Sequence, residues 1–182
     1  MTVIAAIAGF AAWLGAAVIV LGDGRRALAV GVAVAAAGLA GVTWQEGGVV
    51  AAELVLASGV IAALQRSRAG PEGWLIMPPG STPRLILCVA GGLVALWFAA
   101  SVTTGPDGPS RFAVLGVLGL CGARVISSRA PSTMVSALAT VALAIAVATQ
   151  LHGGAQGVAP YVVAALIAAG VMFMPMPAAS AS

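Results

Sequence analysis

Long apolar runs, separated by short polar or Gly/Pro-rich stretches, constrain this chain more than any other feature. A helix that crosses a bilayer needs about 20 mostly apolar residues, with a range of roughly 17 to 25. Seven runs reach or approach that length, at about 3–22, 27–43, 48–65, 84–103, 111–127, 132–151 and 158–175. The pattern predicts an all-α fold, a polytopic transmembrane bundle of about seven spanning helices.

Composition indicates that the solvent of this chain is lipid. Of its 182 residues 61% are apolar and 7% are charged, whereas a soluble domain carries about 25% charged residues. The longest polar connection, RSRAGPEGWLIMPPGSTPR, has 19 residues and no room for a soluble domain. We therefore assign residues 1–182 to a single integral membrane domain. No basic residue precedes Arg25, so the first run is predicted to be a retained span rather than a signal peptide.

The arginines predict the orientation. If every run spans, the first, third and fifth connections share one side of the membrane. That side holds Arg25, Arg26, Arg66, Arg68, Arg84, Arg124 and Arg129, and the other side holds Arg111. Basic residues favour the cytoplasmic side, which places the N-terminus outside and the C-terminus in the cytoplasm of a bacterial inner (cytoplasmic) membrane. A six-helix alternative would merge the last two runs across HGGAQG.

The net charge of +3 does not indicate a nucleic-acid partner. The chain has eight arginines and no lysine, and they do not form the clustered basic face that phosphate binding requires. Cys88 and Cys121 both fall in apolar runs. We interpret them as small buried hydrophobic residues rather than as a disulfide or zinc ligands.

Glu53 lies about six residues into the third run, between VVAA and LVLA. Its depth of roughly 8–9 Å puts it beyond easy reach of the outer interface. Because a carboxylate inside a membrane is costly, we expect Glu53 to face protein or water rather than lipid. Two interpretations stay open: a proton- or cation-handling site, or a neutral carboxylic acid that joins helices by a hydrogen bond.

Glu46 and His152 flank the outer ends of the third and sixth runs. Together with Glu53 they form a candidate proton path from outside, and the alternative is that they are ordinary interfacial residues. A lone histidine without a second ligand at a recognisable spacing does not predict a metal site. The sequence shows neither a nucleophile with its base nor a phosphate-binding glycine loop, so it predicts no catalytic residue and no cofactor.

The stretch GGVVAAELVLASGVIAAL resembles the third helix of the complex I chain J type, in which an acid is followed six residues later by glycine and a branched residue. Glu53, Gly59 and Ile61 occupy that pattern. The Arg25–Arg26 turn and the long connection after the third run resemble the seven-helix layout of hydrogenase-4 component E. SSRAPSTMVSALATVALAIA is similar in position to the sixth helix of that protein.

This likeness is to small membrane-arm subunits of the complex I, membrane-bound hydrogenase and Mrp-type antiporter superfamily. The chain departs from component E at two places. The lysine of its third helix has no counterpart here, and its acidic, asparagine-containing sixth helix is apolar, with Ser136 and Thr140 instead. If the kinship holds, the chain has lost most proton-path groups.

The resemblance implies a non-catalytic integral subunit of a larger energy-converting, ion-translocating and redox-linked membrane complex. Its role would be mainly structural or docking, with Glu53 beside an ion path. Its partners would be the lipid bilayer and other integral membrane subunits, and any enzymatic activity would belong to the complex. Small-residue helix faces such as ALAVGVAVAAAGLAGV suit close helix association. Two alternatives stay open: a small homo-oligomeric transporter or exporter, and a membrane scaffold or assembly factor.

Overall fold

The computed structural model describes residues 3–46, 48–69, 72–77, 79–101, 107–151 and 157–172. Within them the chain is all-α. Its helices are α1 Val3–Leu21, α2 Arg25–Glu46, α3 Gly48–Arg68, α4 Thr82–Ser101, α5 Gly108–Ser127, α6 Pro131–Gln150 and α7 Ala159–Met172. The all-α prediction is confirmed, and each helix falls on one of the seven apolar runs.

Six of the described helices, α1 to α6, are long and apolar enough to cross a membrane. The protein is therefore a multi-pass membrane protein with apolar helix surfaces suited to lipid. Helix α7 has 14 described residues, which rise about 21 Å against a hydrocarbon thickness of about 30 Å. The seventh span stays a prediction, and so does the side on which each terminus lies.

Glycines bring α1 and α2 into direct backbone contact. A Cβ atom on Gly15 would stand 2.2 Å from the backbone nitrogen of Ala35, and one on Gly38 would stand 2.2 Å from that of Ala12. Gly59 of α3 packs closely on Ala36 of α2, where a Cβ atom added to Gly59 would stand 2.0 Å from the Ala36 Cβ atom. Small residues stabilise helix pairs in lipid because close approach maximises van der Waals contact.

The core is formed mainly by α1, α2, α3, α5 and α6, with a contribution from α7, and consists mainly of alanine, valine and leucine. Cys88 and Cys121 are buried and free, as their apolar surroundings predict. Helix α4 lies at the edge of the bundle, where it packs on α5 and only lightly on α1. Many of its large apolar side chains are exposed, and Leu93 and Trp97 are more than 60% exposed.

The described residues of the connection between α3 and α4 (69, 72–77 and 79–81) lie at one end of the bundle. The backbone N–H of Asp23 donates to the Leu75 carbonyl at 3.2 Å, and that of Met77 donates to the Leu21 carbonyl at 3.0 Å. Leu75 and Met77 have φ angles of 38° and 53°, the left-handed region that side chains with a Cβ disfavour. The connection is therefore tied to the α1–α2 turn. We call this end of the bundle, formed by residues 22–24, 69, 72–77, 79–81 and 128–130, the arginine end.

Candidate functional site

The outer face of α3 carries the membrane-embedded acid. Residues at three- and four-residue spacing are exposed along it, and they define the α3 outer face: Val49, Val50, Glu53, Leu56, Ala57, Val60, Ile61 and Leu64. The other side of the helix, which includes Val55, Ser58 and Ala62, is buried. It packs on α2, α6 and α7. The 3.6-residue period of α3 thus places Glu53 on the outside of the bundle.

Glu53 has neither a hydrogen bond nor an ion pair with any residue in the described parts of the chain. It lies five residues after Gly48, the first residue of α3, which is about 8 Å along the helix axis. Glu53 is exposed on the outside of the bundle, and the expectation that it faces protein or water rather than lipid stays a prediction. Its carboxylate points to whatever surrounds the bundle, and the surrounding side chains on its face are apolar.

The candidate path from Glu46 through Glu53 to His152 is only partly within the described structure. Glu46 is the last residue of α2, so its backbone lies at the end of the bundle where α3 begins, opposite the arginine end. His152 lies outside the described residues. The path as a whole stays a prediction.

Three buried hydroxyls of α3 and α6, those of Ser58, Ser136 and Thr140, are engaged within their own helices, whereas the buried Thr133 hydroxyl of α6 has no hydrogen-bond partner among the described residues. The Ser136 hydroxyl donates to the Ser132 carbonyl at 2.8 Å, and the Thr140 hydroxyl donates to the Ser136 carbonyl at 2.9 Å. Ser58 bonds to the Leu54 carbonyl at 2.7 Å. Such back-bonding satisfies a buried hydroxyl locally. Because these three hydroxyl protons are donated to backbone carbonyls, the hydroxyls do not form a hydrogen-bonded proton relay from Glu53 into the core.

At the arginine end, Asp23 joins three separate elements. Its Oδ2 accepts a hydrogen bond from Arg84 Nη1 at 2.9 Å, and its Oδ1 accepts one from Arg124 Nη2. Asp23 belongs to the α1–α2 turn, Arg84 to the first turn of α4 and Arg124 to the last turn of α5. The Arg124 side chain is 3% exposed, so the carboxylate compensates a charge that is out of reach of water.

The remaining arginines of this end divide into buried and exposed ones. Arg66, 1% exposed, donates from Nη1 to the Ser132 carbonyl at 2.9 Å and so holds the end of α3 against the start of α6. Arg25 pairs with Glu72 at 3.3 Å, where the Glu72 side chain is 85% exposed. Arg26, Arg68 and Arg129 are exposed. Arginines predicted only as topology determinants therefore also tie helices together.

Sequence reasoning missed Asp23 as the acceptor at the centre of this end. The available signal was its position: it is an acid in the GDGRR turn, on the predicted side that carries seven of the eight arginines. The excess of arginines on that side is enough to identify Asp23 as a candidate ion-pair partner for them. Which arginines it binds depends on the packing of α4 and α5, which local sequence does not encode.

Among the described residues, no group of three or more His, Cys, Asp or Glu side chains could hold a metal ion. Comparison with protein-family models, with curated proteins and with solved structures finds no match for this chain. The family resemblance therefore rests on the α3 sequence and the helix layout. Glu53 and the α3 outer face are the features of this chain that bear most directly on function.

Proposed function

We propose that this chain is a non-catalytic integral membrane subunit that docks in a larger membrane complex through the α3 outer face. The observation that carries the proposal is the outward-facing Glu53, which has no partner in the described parts of the chain. A charged side chain at the centre of a membrane helix costs about 2.5–3.5 kcal/mol on insertion scales, and one at the shallower depth of Glu53 carries part of that cost. A second transmembrane helix that offers a cation or a hydrogen-bond donor at this depth would offset that cost.

The resemblance of α3 supports an energy-converting, ion-translocating parent complex. In such a complex Glu53 would border an ion path at the interface with the partner, because the hydroxyls of Ser58, Ser136 and Thr140 are engaged inside this chain. The proposed orientation puts the arginine end in the cytoplasm of a bacterial inner membrane, in keeping with the positive-inside bias.

The test compares the wild-type chain with the Glu53→Leu and Glu53→Gln variants. Each chain is tagged and purified in mild detergent from the membranes of the cells that produce it. We expect the wild type to co-purify with defined membrane subunits in fixed stoichiometry, and Glu53→Leu to lose them. Glu53→Gln keeps hydrogen-bonding capacity and should retain part of the association. The Glu53→Leu chain itself should stay folded, because the carboxylate makes no hydrogen bond or ion pair inside the described bundle.

Site-specific photo-crosslinking provides the matched control. A photoreactive residue at Val60, on the α3 outer face, should capture the same subunit that co-purifies, whereas one at Val94, exposed on α4, should not. A solitary wild-type monomer whose behaviour is unchanged by Glu53→Leu would contradict the proposal. A crosslinked product made only of this chain would instead support the homo-oligomeric transporter. A complex that Glu53→Gln leaves fully active would support a scaffold without ion chemistry.

A further inference from the structure

An apolar cleft of about 570 Å³ lies between α1, α4 and α5, away from the α3 outer face. Ligand pockets in proteins commonly measure about 300–1,000 Å³. Its wall is formed mainly by Ala6, Phe10 and Trp13 of α1, Leu96 and Ala100 of α4, and Phe112 of α5. Phe10 and Leu96 are each 54% exposed. Because α1, α4 and α5 are spanning helices, the cleft opens sideways toward lipid.

The cleft exists because three helices meet at unequal distances. Helices α1 and α5 nearly touch at one end, where a Cβ atom on Gly9 would stand 2.8 Å from the Pro109 carbonyl oxygen. Deeper in the bundle the Trp13 indole fills the space between α1 and α4, with its Nε1 atom 2.6 Å from where a Gly92 Cβ would lie. The indole thus holds α4 away from α1.

The dimensions of the cleft match one leaflet of the bilayer. Along α4 it extends from Val89 to Ala100, a rise of about 16 Å. The hydrocarbon core is about 30 Å thick, so the cleft is about as long as a single acyl chain layer. Its shallow end lies beside Gly108, at the start of α5 and opposite the arginine end.

A loosely paired acid and base stand at this shallow end. Asp107 precedes Gly108 and Arg111 precedes Phe112, and both Gly108 and Phe112 line the cleft. The Arg111 Nη2 and Asp107 Oδ2 atoms are 3.8 Å apart, with the side chains 28% and 43% exposed. That separation is too long for a good hydrogen bond, so each group can accept a partner of opposite charge. The pair has no net charge and does not favour an anionic ligand.

We propose that the cleft binds a zwitterionic phospholipid, with one acyl chain along α4, its phosphate at Arg111 and its primary ammonium at Asp107. The apolar wall fits the chain, its length fits one leaflet, and the Asp107–Arg111 pair complements the two headgroup charges. Arginine is well suited to phosphate because its planar guanidinium can donate two parallel hydrogen bonds. This site is independent of Glu53 and of the partner proposed above.

Fluorescence of Trp13 tests the proposal directly, because this side chain lines the cleft. The other tryptophans, Trp44, Trp74 and Trp97, are exposed and can be replaced by phenylalanine. The single-tryptophan protein is placed in vesicles of phosphatidylethanolamine and phosphatidylglycerol in equal amounts, with brominated acyl chains on one or the other. Bromine quenches indole on contact. We expect greater quenching by the brominated ethanolamine lipid than by the brominated glycerol lipid.

Ala100→Phe fills the shallow part of the cleft and should reduce this quenching, whereas Ala90→Phe, exposed on α4 outside the cleft, should leave it unchanged. The double variant Asp107→Asn, Arg111→Gln keeps the cleft and should lose the headgroup preference. Equal quenching by both lipids in the parent protein would overturn the assigned headgroup. Unchanged quenching in Ala100→Phe would overturn the site. Unaltered helix content by circular dichroism identifies the variants that remain folded.

Discussion

At the scale of single residues, the glycines of α1 and α2 determine how closely the first hairpin packs. Gly15 and Gly38 each stand where an added methyl group would collide with backbone atoms of the facing helix. Backbone cannot be moved aside as a flexible side chain can. These two glycines are therefore required by packing rather than by backbone conformation, and a methyl group is enough to test them.

We expect Gly38→Ala to lower the free energy of unfolding by about 1–3 kcal/mol, the usual cost of overpacking. The control is Gly119→Ala on α5, where an added Cβ meets nothing within 4 Å. That change should be neutral or stabilising by about 0.5–1 kcal/mol, since glycine inside a helix is less favourable than alanine. Thermal unfolding in detergent can be followed by a thiol-reactive dye, which reaches the buried Cys88 and Cys121 only on unfolding. Equal stability of the two variants would contradict the α1–α2 packing.

At the scale of elements, Asp23 joins helices that are far apart in sequence. The α1–α2 turn, the first turn of α4 and the last turn of α5 converge on one carboxylate. Helix α4 has few other ties to the bundle, because it packs on α5 and only lightly on α1. The ion pair is therefore a principal link between α4 and the first hairpin.

Asp23→Asn removes the negative charge while preserving shape. It should destabilise the protein by about 3 kcal/mol, the lower end of the range for breaking a buried pair, because Arg124 then lies buried without a counter-charge. Glu72→Gln is the matched control, since it removes the exposed Arg25–Glu72 pair at the same end, where the cost should stay below about 1 kcal/mol. Both can be measured by the same thiol-reactivity assay. Similar midpoints for the two variants would show that Arg124 does not depend on Asp23.

Sequence periodicity and hydropathy were sufficient for the elements themselves. Apolar length located all seven helices, and proline and glycine located the breaks, as at Pro109 and Pro131 in the first turns of α5 and α6. The side of α3 on which Glu53 lies could not be predicted, because the alanine-rich sequence of this helix is apolar all round and carries no strong facial asymmetry. The cleft could not be predicted either, since it depends on how Trp13 meets Gly92 in space.

At the scale of the whole molecule, the arginines collect at one end. That end holds seven arginines and two acids, Asp23 and Glu72, whereas Arg111 is the basic residue described at the other end. The asymmetry matches the bias expected of a cytoplasmic face. It is the physical basis of the proposed orientation.

Cysteine labelling tests this orientation in intact cells. The native Cys88 and Cys121 are buried, so a new cysteine is the reactive one. Glu72→Cys at the arginine end should resist a membrane-impermeant thiol reagent added outside, and Val158→Cys, 46% exposed at the other end, should react. Permeabilised cells should label at both positions. Labelling of the cysteine at position 72 but not of the one at position 158 in intact cells would show that the orientation is opposite to the proposed one.

The ion pairs of Asp23 also have a consequence for the order of events during synthesis and membrane insertion. Its two arginine partners follow it by 61 and 101 residues, so during synthesis the first hairpin enters the bilayer well before Arg84 and Arg124 exist. The carboxylate can gain its first cationic partner only when Arg84 has been made, and its second only when the fifth helix has been completed. Completion of this end is thus a late event in biogenesis, and a nascent chain halted before Arg124 would hold Asp23 with Arg84 as its one arginine partner from this pair.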